Sequence, residues 1–265
     1  MTPGRPLVFA HRGGADALPE HTLAAYLRAL DEGADGVECD VRLTRDGHLV
    51  CVHDRRLNRT SNGTGLVSAK TLAELEALDF ASWHPAAATE DWQEDHIRLL
   101  TLERLLNALR DYGRPVRLLI ETKHPSRYGA EVERRLVEML RRYGLAEPRA
   151  GDPVQVTVMS FAALALRRMH RLAPAIPTVY LLEIVPPGVG RGRLPFGARI
   201  AGPRIGLMRS RPQLLSTLRA AGHQTYVWTV NDDTDLDLVL SHGPDGIISD
   251  RPKFVLDRLT KAPPV

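Results

Sequence analysis

The sequence predicts an α/β fold, a TIM (β/α)8 barrel with a small insertion after the second strand. Three observations carry this. Eight short aliphatic or β-branched runs alternate with amphipathic stretches of helical period, the pattern of repeated βα units around a parallel sheet. The chain has 265 residues, and one such barrel occupies roughly 250. Its residues are 43% hydrophobic and 25% charged, an ordinary globular composition with chain enough for a full core.

Taken in order, the strands are expected at Leu7 to Ala10, Val37 to Leu43, Leu118 to Thr122, Val154 to Met159, Thr178 to Leu182, Arg199 to Gly202, Thr225 to Val230 and Gly246 to Ser249. Between the first two, Glu20 to Glu32 places Leu23, Tyr26, Leu27 and Leu30 on one helical face, and Gly33 stands where a C-terminal cap belongs. Ser126 to Tyr143 ends at Gly144, Pro212 to Ala221 ends at Gly222, and Asp232 to His242 lies between Asn231 and Gly243, each a helix with a stop signal. Interleaved strands and helices in this number favour a closed barrel over an open doubly wound sheet. The whole chain, 1–265, is expected to form one domain.

Two interruptions break the rhythm. Asp46-Gly47 is a hairpin turn that returns HLVCVHD beside the second strand. The region 54–98 is polar and too long for a simple βα loop. It reads as an insertion on the loop side of the barrel, with one short helix at Thr71 to Leu78 and a solvated acidic cluster of Glu90, Asp91, Glu94 and Asp95.

Charge and cysteine content narrow the function classes. The 35 Lys and Arg against 32 Asp and Glu leave a formal charge of +3, read as spread over the chain, with no run of five or six basic residues. Nucleic acid is therefore not the expected partner. Lysine is scarce, at positions 70, 123, 253 and 261, so a lysine in a chemically interesting place stands out. Cys39 and Cys51 lack the spacing of a disulfide framework or metal motif and are expected to be buried reduced thiols. MTPGRPLVFAHRGG has too short an apolar run for a signal-peptide core, and no stretch approaches the roughly 18 apolar residues of a membrane span. A cytoplasmic protein without stable membrane insertion is expected.

The chemistry concentrates at predicted strand ends. In GADGVECDVRL, Val37, Cys39, Val41 and Leu43 alternate with Glu38, Asp40 and Arg42. Strand geometry puts the two carboxylates on one side, roughly 7 Å apart along the chain. If the apolar set meets the helices, Glu38 and Asp40 point into the barrel mouth, where unpaired carboxylates are costly. Arg42 or another arginine could neutralise them. A divalent metal is the sharper answer, supported by Glu121 at the end of the apolar run LLIETK. Oxygen ligation suits Mg²⁺, Ca²⁺ or Mn²⁺ and argues against zinc.

His11 follows the first strand and His53 follows the hairpin, so both should reach the same face. Two imidazoles there can serve as a general acid and base pair. Arg12 and Lys123 add positive charge of the kind that stabilises an anionic phosphoryl oxygen, although Lys123 could simply neutralise Glu121. Trp228 could wall a small alcohol pocket or belong to the core. GVGRGR at Gly188 to Arg193 does not join a strand to a helix as a dinucleotide site would, and reads as a flexible loop.

AHRGG at Ala10 to Gly14, PEHTLAAY at Pro19 to Tyr26, GADGVECDVRLTRDGHLVCVHD at Gly33 to Asp54, ETK at Glu121 to Lys123, WTVND at Trp228 to Asp232 and DGIISDRP at Asp245 to Pro252 run in order along nearly the whole chain. Together they resemble the glycerophosphodiester phosphodiesterase family, in its bacterial cytoplasmic and actinobacterial form. The resemblance implies a TIM barrel that cleaves a glycerophosphodiester to glycerol 3-phosphate and an alcohol with a divalent metal. It implies Glu38, Asp40 and Glu121 as metal ligands, His11 and His53 as acid and base, Arg12 and Lys123 as phosphate contacts, and Glu20 as an organiser of the site. His21 replaces the family's usual Asn, and HIRLLTLERLL departs from the usual Ile-Pro-Thr-Leu-Glu. Two other readings stay open: a phospholipase D-like enzyme acting on lysolipids, which would want apolar surface around the mouth, and a non-catalytic phosphodiester-binding barrel.

Overall fold

Eight parallel strands close on themselves in the computed structural model, which describes residues 5–88 and 97–261. The ring contains β1 (Leu7–His11), β2 (Gly36–Leu43), then, after the antiparallel hairpin strand β3 (Leu49–Cys51), β4 (Val116–Thr122), β5 (Val154–Ser160), β6 (Thr178–Leu182), β7 (Ile200–Pro203), β8 (Gln224–Val227) and β9 (Gly246–Ser249). β1 pairs with both β2 and β9, which shuts the barrel, and β3 hangs on the outer part of β2. All eight expected barrel strands are present, two of them, Thr178–Leu182 and Gly246–Ser249, with the expected bounds and the others with one or both ends shifted by up to three residues. β8 is the shortest against expectation, because the chain leaves the sheet at Trp228.

Outside lie α1 (Leu23–Asp31), α2 (Leu72–Glu76), α3 (Leu102–Arg110), α4 (Glu131–Arg142), α5 (Ala163–Leu172), α6 (Ile205–Ser210), α7 (Gln213–Ala220), α8 (Asp233–Leu240) and α9 (Pro252–Lys261). Alternation along β2 sorts its side chains as expected: Val37, Cys39 and Val41 are buried against the helices with Leu105, Leu109 and Leu136. Cys39 and Cys51 are both buried free thiols. Inside the ring, Phe9, Leu119, Met159, Val179, Ile200, Tyr226 and Ile248 fill the lower barrel, so the interior is a packed core with a mouth above it.

Several local expectations change. α1 begins at Leu23 because Thr22 caps it, its hydroxyl accepting from Ala25 N–H at 3.3 Å, leaving Glu20 and His21 in the preceding loop. α4 begins at Glu131, since Ser126 to Gly129 close a turn instead. The α3 helix, capped by Thr101, replaces what the sequence shows only as a motif departure. GVGRGR contains a 3-10 turn, Val189–Arg191, anchored by buried Val189, and is packed structure rather than a free loop.

In the region after β3, α2 forms with a capping box between Thr71 and Glu74, the predicted helix shortened to five residues. A small apolar cluster of Val50, Val52, Leu57, Val67, Leu75, Phe80 and Leu99 seats this segment on the barrel. Glu90, Asp91, Glu94 and Asp95 lie outside the described residues. No helix among the described residues is long and apolar enough to cross a membrane.

Candidate active site

Sheet register brings the carboxylates together. His11 on β1 stands beside Glu38 on β2, and Asp40 stands beside Glu121 on β4. These three acids are buried, and one ligand oxygen from each lies within 4.8 Å of the others. Lys123 Nζ reaches Asp40 at 3.0 Å and Glu121 at 2.9 Å. The Arg12 backbone N–H donates to Glu38 Oε2 at 3.1 Å, while its Nε lies 3.3 Å from Asp40 Oδ2. That buried Nε makes no hydrogen bond to any described residue.

The charges do not balance evenly. Burial, then repulsion from Asp40 and Glu121, pushes the Glu38 carboxyl well above its ordinary range. Burial and Asp40 push Glu121 up to about 8 despite Lys123. Burial acts on Asp40 too, but Lys123, His21 and Arg12 outweigh it and hold that carboxyl low. Three buried carboxylates with converging oxygens, two of them pushed up by burial and mutual repulsion, fit a hard divalent cation. Arg42, the alternative counter-charge, turns away and donates to the His53 carbonyl at 2.9 and 2.6 Å.

Both predicted histidines reach the mouth, and each is oriented by a carboxylate. His11 Nδ1 lies 2.6 Å from Asp250 Oδ1. Asn231 Nδ2 donates to the other oxygen of Asp250 at 2.7 Å, and Asn231 Oδ1 accepts from the Asp250 and Ser249 side of the chain at 2.9 and 3.1 Å. His53 Nδ1 lies 2.7 Å from Asp54 Oδ1. Neither Nε2 has a hydrogen-bond partner among the described residues, so each ring keeps one nitrogen for a ligand. Burial lowers the His53 imidazole to about 4, with Lys123 and Arg12 adding to the shift and Asp40 and Asp54 opposing it.

A tight loop presents Arg12. Its φ is 52°, and Gly13 follows at 90°, where a Cβ would meet Ala25 Cβ at 2.8 Å; only glycine lets α1 pack this closely. Glu20, 8% exposed, receives the Arg59 fork at 2.7 and 2.8 Å, and Arg12 at 3.3 Å. Burial raises the Glu20 carboxyl, but Arg59 and the other neighbouring cations bring it below its ordinary value. Arg59 also donates to Asp54 at 2.8 Å. His21, where the resemblance leads one to expect Asn, spans Tyr26 Oη at 2.7 Å and Asp40 Oδ2 at 3.0 Å.

These groups open on a cavity of about 110 Å³ shared by His11, His53, Glu38, Glu121, Arg12 and Lys123. Trp228 forms part of its wall, its indole N–H donating to Gly202 O at 2.6 Å and its ring meeting Phe161 edge-on at 5.4 Å. Sequence reading assigned no part in the site to Asp250, Asn231, Asp54, Arg59, Tyr26 or Phe161. The first three lie within or beside the quoted motifs, but their pairings join distant segments; nothing local marked Arg59.

A closed (β/α)8 barrel with carboxylates, oriented histidines and cations at the C-terminal ends of its strands has the makings of a hydrolase for an anionic ester. Residues 11–254 match the glycerophosphoryl diester phosphodiesterase family, and the chain belongs to that family of phosphoric diester hydrolases. It is 48% identical over 238 residues to a Mycobacterium tuberculosis protein named "Probable glycerophosphodiester phosphodiesterase 1", covering 88% of this chain and 85% of that one. It is 33% identical to the glycerophosphodiester phosphodiesterase of Bacillus subtilis, covering 95% and 86%. Among solved structures, an Oleispira antarctica phosphodiesterase in complex with the product sn-glycerol-3-phosphate superposes with a TM-score of 0.81 at 27% identity, covering 97% of this chain and 98% of that one.

Proposed function

We propose that the chain, acting as one barrel domain over 1–265 with 54–98 as its insertion, hydrolyses small glycerophosphodiesters such as glycerophosphocholine or glycerophosphoethanolamine. The products are glycerol 3-phosphate and the free alcohol. The observation that carries this reading is the pair of imidazoles, His11 and His53, each held by a carboxylate through Nδ1 and both lining one cavity with Glu38 and Glu121. That is the arrangement required for one group to take a proton while the other gives one.

Glu38, Asp40 and Glu121 would hold the divalent cation, Mg²⁺, Ca²⁺ or Mn²⁺ by the hardness of the oxygen donors. When bound, it supplies Lewis-acid neutralisation of the phosphoryl oxygens. Arg12 and Lys123 bind the remaining phosphate charge, and Trp228 walls the organic part of the substrate. The glycerol hydroxyl next to the ester attacks phosphorus as one histidine accepts its proton. The P–O bond to the alcohol breaks as the other histidine protonates it. Water then opens the cyclic phosphate by the same two groups in reverse. The buried free thiols of Cys39 and Cys51 suit a reducing compartment, and we place the enzyme in the cytoplasm.

The test is a pair of variants, His11→Ala and His53→Ala, each examined for glycerol 3-phosphate release and for cation binding by titration calorimetry. Release is expected to fall by about 10²–10⁴-fold in each while cation binding persists. Wild-type turnover in both variants would remove the acid and base assignment.

A further inference from the structure

The formal charge of +3 is not spread over the chain as the sequence reading took it. Residues 153–231 contain ten arginines and a single acid, Glu183, so this segment carries +9 and the remainder −6. The segment builds β5 to β8 with α5, α6 and α7, which is one side of the barrel. Among the described residues, only Arg168 and Arg209 of these ten pair with a carboxylate, Glu133 and Asp235 respectively. Ion pairing is commoner in the rest of the chain, where Arg5, Arg12, Arg59 and Arg142 are among the arginines that meet carboxylates.

Apolar exposure falls on the same side. Five large apolar side chains are exposed among the described residues, and four of them, Phe161, Leu164, Ile184 and Phe196, belong to this segment. Ile184 is 74% exposed and Leu164 50%. Phe161 directly follows β5, Leu164 lies in the first turn of α5 just beyond it, and Ile184 is two residues past β6, so three of the four stand near the C-terminal ends of strands. Phe161 also lines the candidate active-site cavity. Arg204 follows β7 on that rim and is exposed; lower on the flank, Arg167 covers the Phe196 ring at 5.6 Å from its centroid.

We propose that this side of the barrel docks reversibly on an anionic phospholipid surface, with Phe161, Leu164 and Ile184 entering the interface and the unpaired arginines facing the headgroups. Exposed apolar side chains at the strand ends, with unpaired arginines on the same side of the barrel, match the two components of peripheral membrane binding, apolar burial and attraction to anionic lipid. A nucleic acid would use the arginines and leave the aliphatic rim without a partner. Docking in this orientation sets the mouth of the barrel beside the bilayer, within reach of phosphodiesters that leave or remain in it.

The test is co-sedimentation of the full chain, in chelator to exclude cation bridging, with vesicles of pure phosphatidylcholine and with vesicles in which a third of the lipid is phosphatidylglycerol. Binding is expected to the anionic vesicles only and to weaken with salt. The Leu164→Ser/Ile184→Ser double variant, outside the reaction chemistry, should lose about tenfold or more in vesicle partition while hydrolysing soluble glycerophosphodiester at the wild-type rate. Absence of binding to anionic vesicles at low salt would overturn the proposal. So would equal binding by the double variant, or tighter salt-sensitive binding to duplex DNA that the double variant retains.

Discussion

Removing the Arg59 side chain perturbs the site without touching any group that would meet substrate. Arg59 ties Glu20 on the first loop to Asp54, the partner of His53, through three charge-assisted hydrogen bonds of 2.7, 2.8 and 2.8 Å. In Arg59→Ala, the Glu20 side chain, 6% exposed, keeps only Arg12 at 3.3 Å. Stripping one partner from a fully buried ion pair costs about 3–5 kcal/mol. Arg59 is itself 43% exposed, and Arg12 remains, so solvent screening reduces the expected loss to about 2 kcal/mol. At about 2–4 °C per kcal/mol for a chain of this size, Tm should fall by about 4–8 °C. Asp54 loses its anchor as well, and a released orienting carboxylate typically costs about 10–100-fold in activity. Scanning calorimetry and initial rates on a soluble glycerophosphodiester read both effects. Arg59→Lys, which keeps the charge and loses the fork, should fall between wild type and Arg59→Ala. A Tm within about 1 °C of wild type together with unchanged kcat/KM would refute the reasoning.

Two further outcomes follow from the proton balance. Glu121, held up to about 8 against an ordinary 4.5, keeps a proton in the folded state that the unfolded chain has released, so it makes stability fall as pH rises through that window. His53, lowered from 6.5 to about 4, acts with the opposite sign, but only below about 6.5. Urea midpoints of chelator-treated protein should therefore drop between about pH 6.5 and 8, and saturating divalent cation should abolish the slope; a flat or rising profile in chelator would contradict the charge assignment. Imidazole NMR should show His53 titrating near 4, and lower still in Asp54→Asn, which loses the carboxylate that opposes the shift. An ordinary midpoint near 6.5 would contradict its burial.

The barrel was legible because βα alternation is a local, periodic signal, and the β2 alternation sorted Glu38 and Asp40 from Val37, Cys39 and Val41 correctly. The ends of strands were legible for the same reason, which is how His11, Glu121 and Lys123 could be placed on one face. What escaped depends on contacts between distant segments. His11 meets Asp250 across 239 residues and Arg59 meets Glu20 across 39, and no period in the sequence encodes either. The starts of α1 and α4 were misjudged because helical propensity extends back through residues whose side chains, Thr22 and Ser126, accept from backbone N–H groups and delay the start of the helix. The charge asymmetry was present in the sequence throughout, but a net charge of +3 conceals it, and only burial reveals which apolar residues stand beside the arginines.

The proposed function rests on metal-assisted phosphodiester hydrolysis at the Glu38, Asp40 and Glu121 cluster. It is tested most directly by glycerol 3-phosphate release from glycerophosphocholine and glycerophosphoethanolamine, in chelator and then with Mg²⁺, Ca²⁺ or Mn²⁺ restored, beside a Glu38→Ala control. Release should vanish in chelator, return with at least one cation, and stay absent in Glu38→Ala. Release that persists in chelator, or that Glu38→Ala retains at the wild-type rate, would contradict the account.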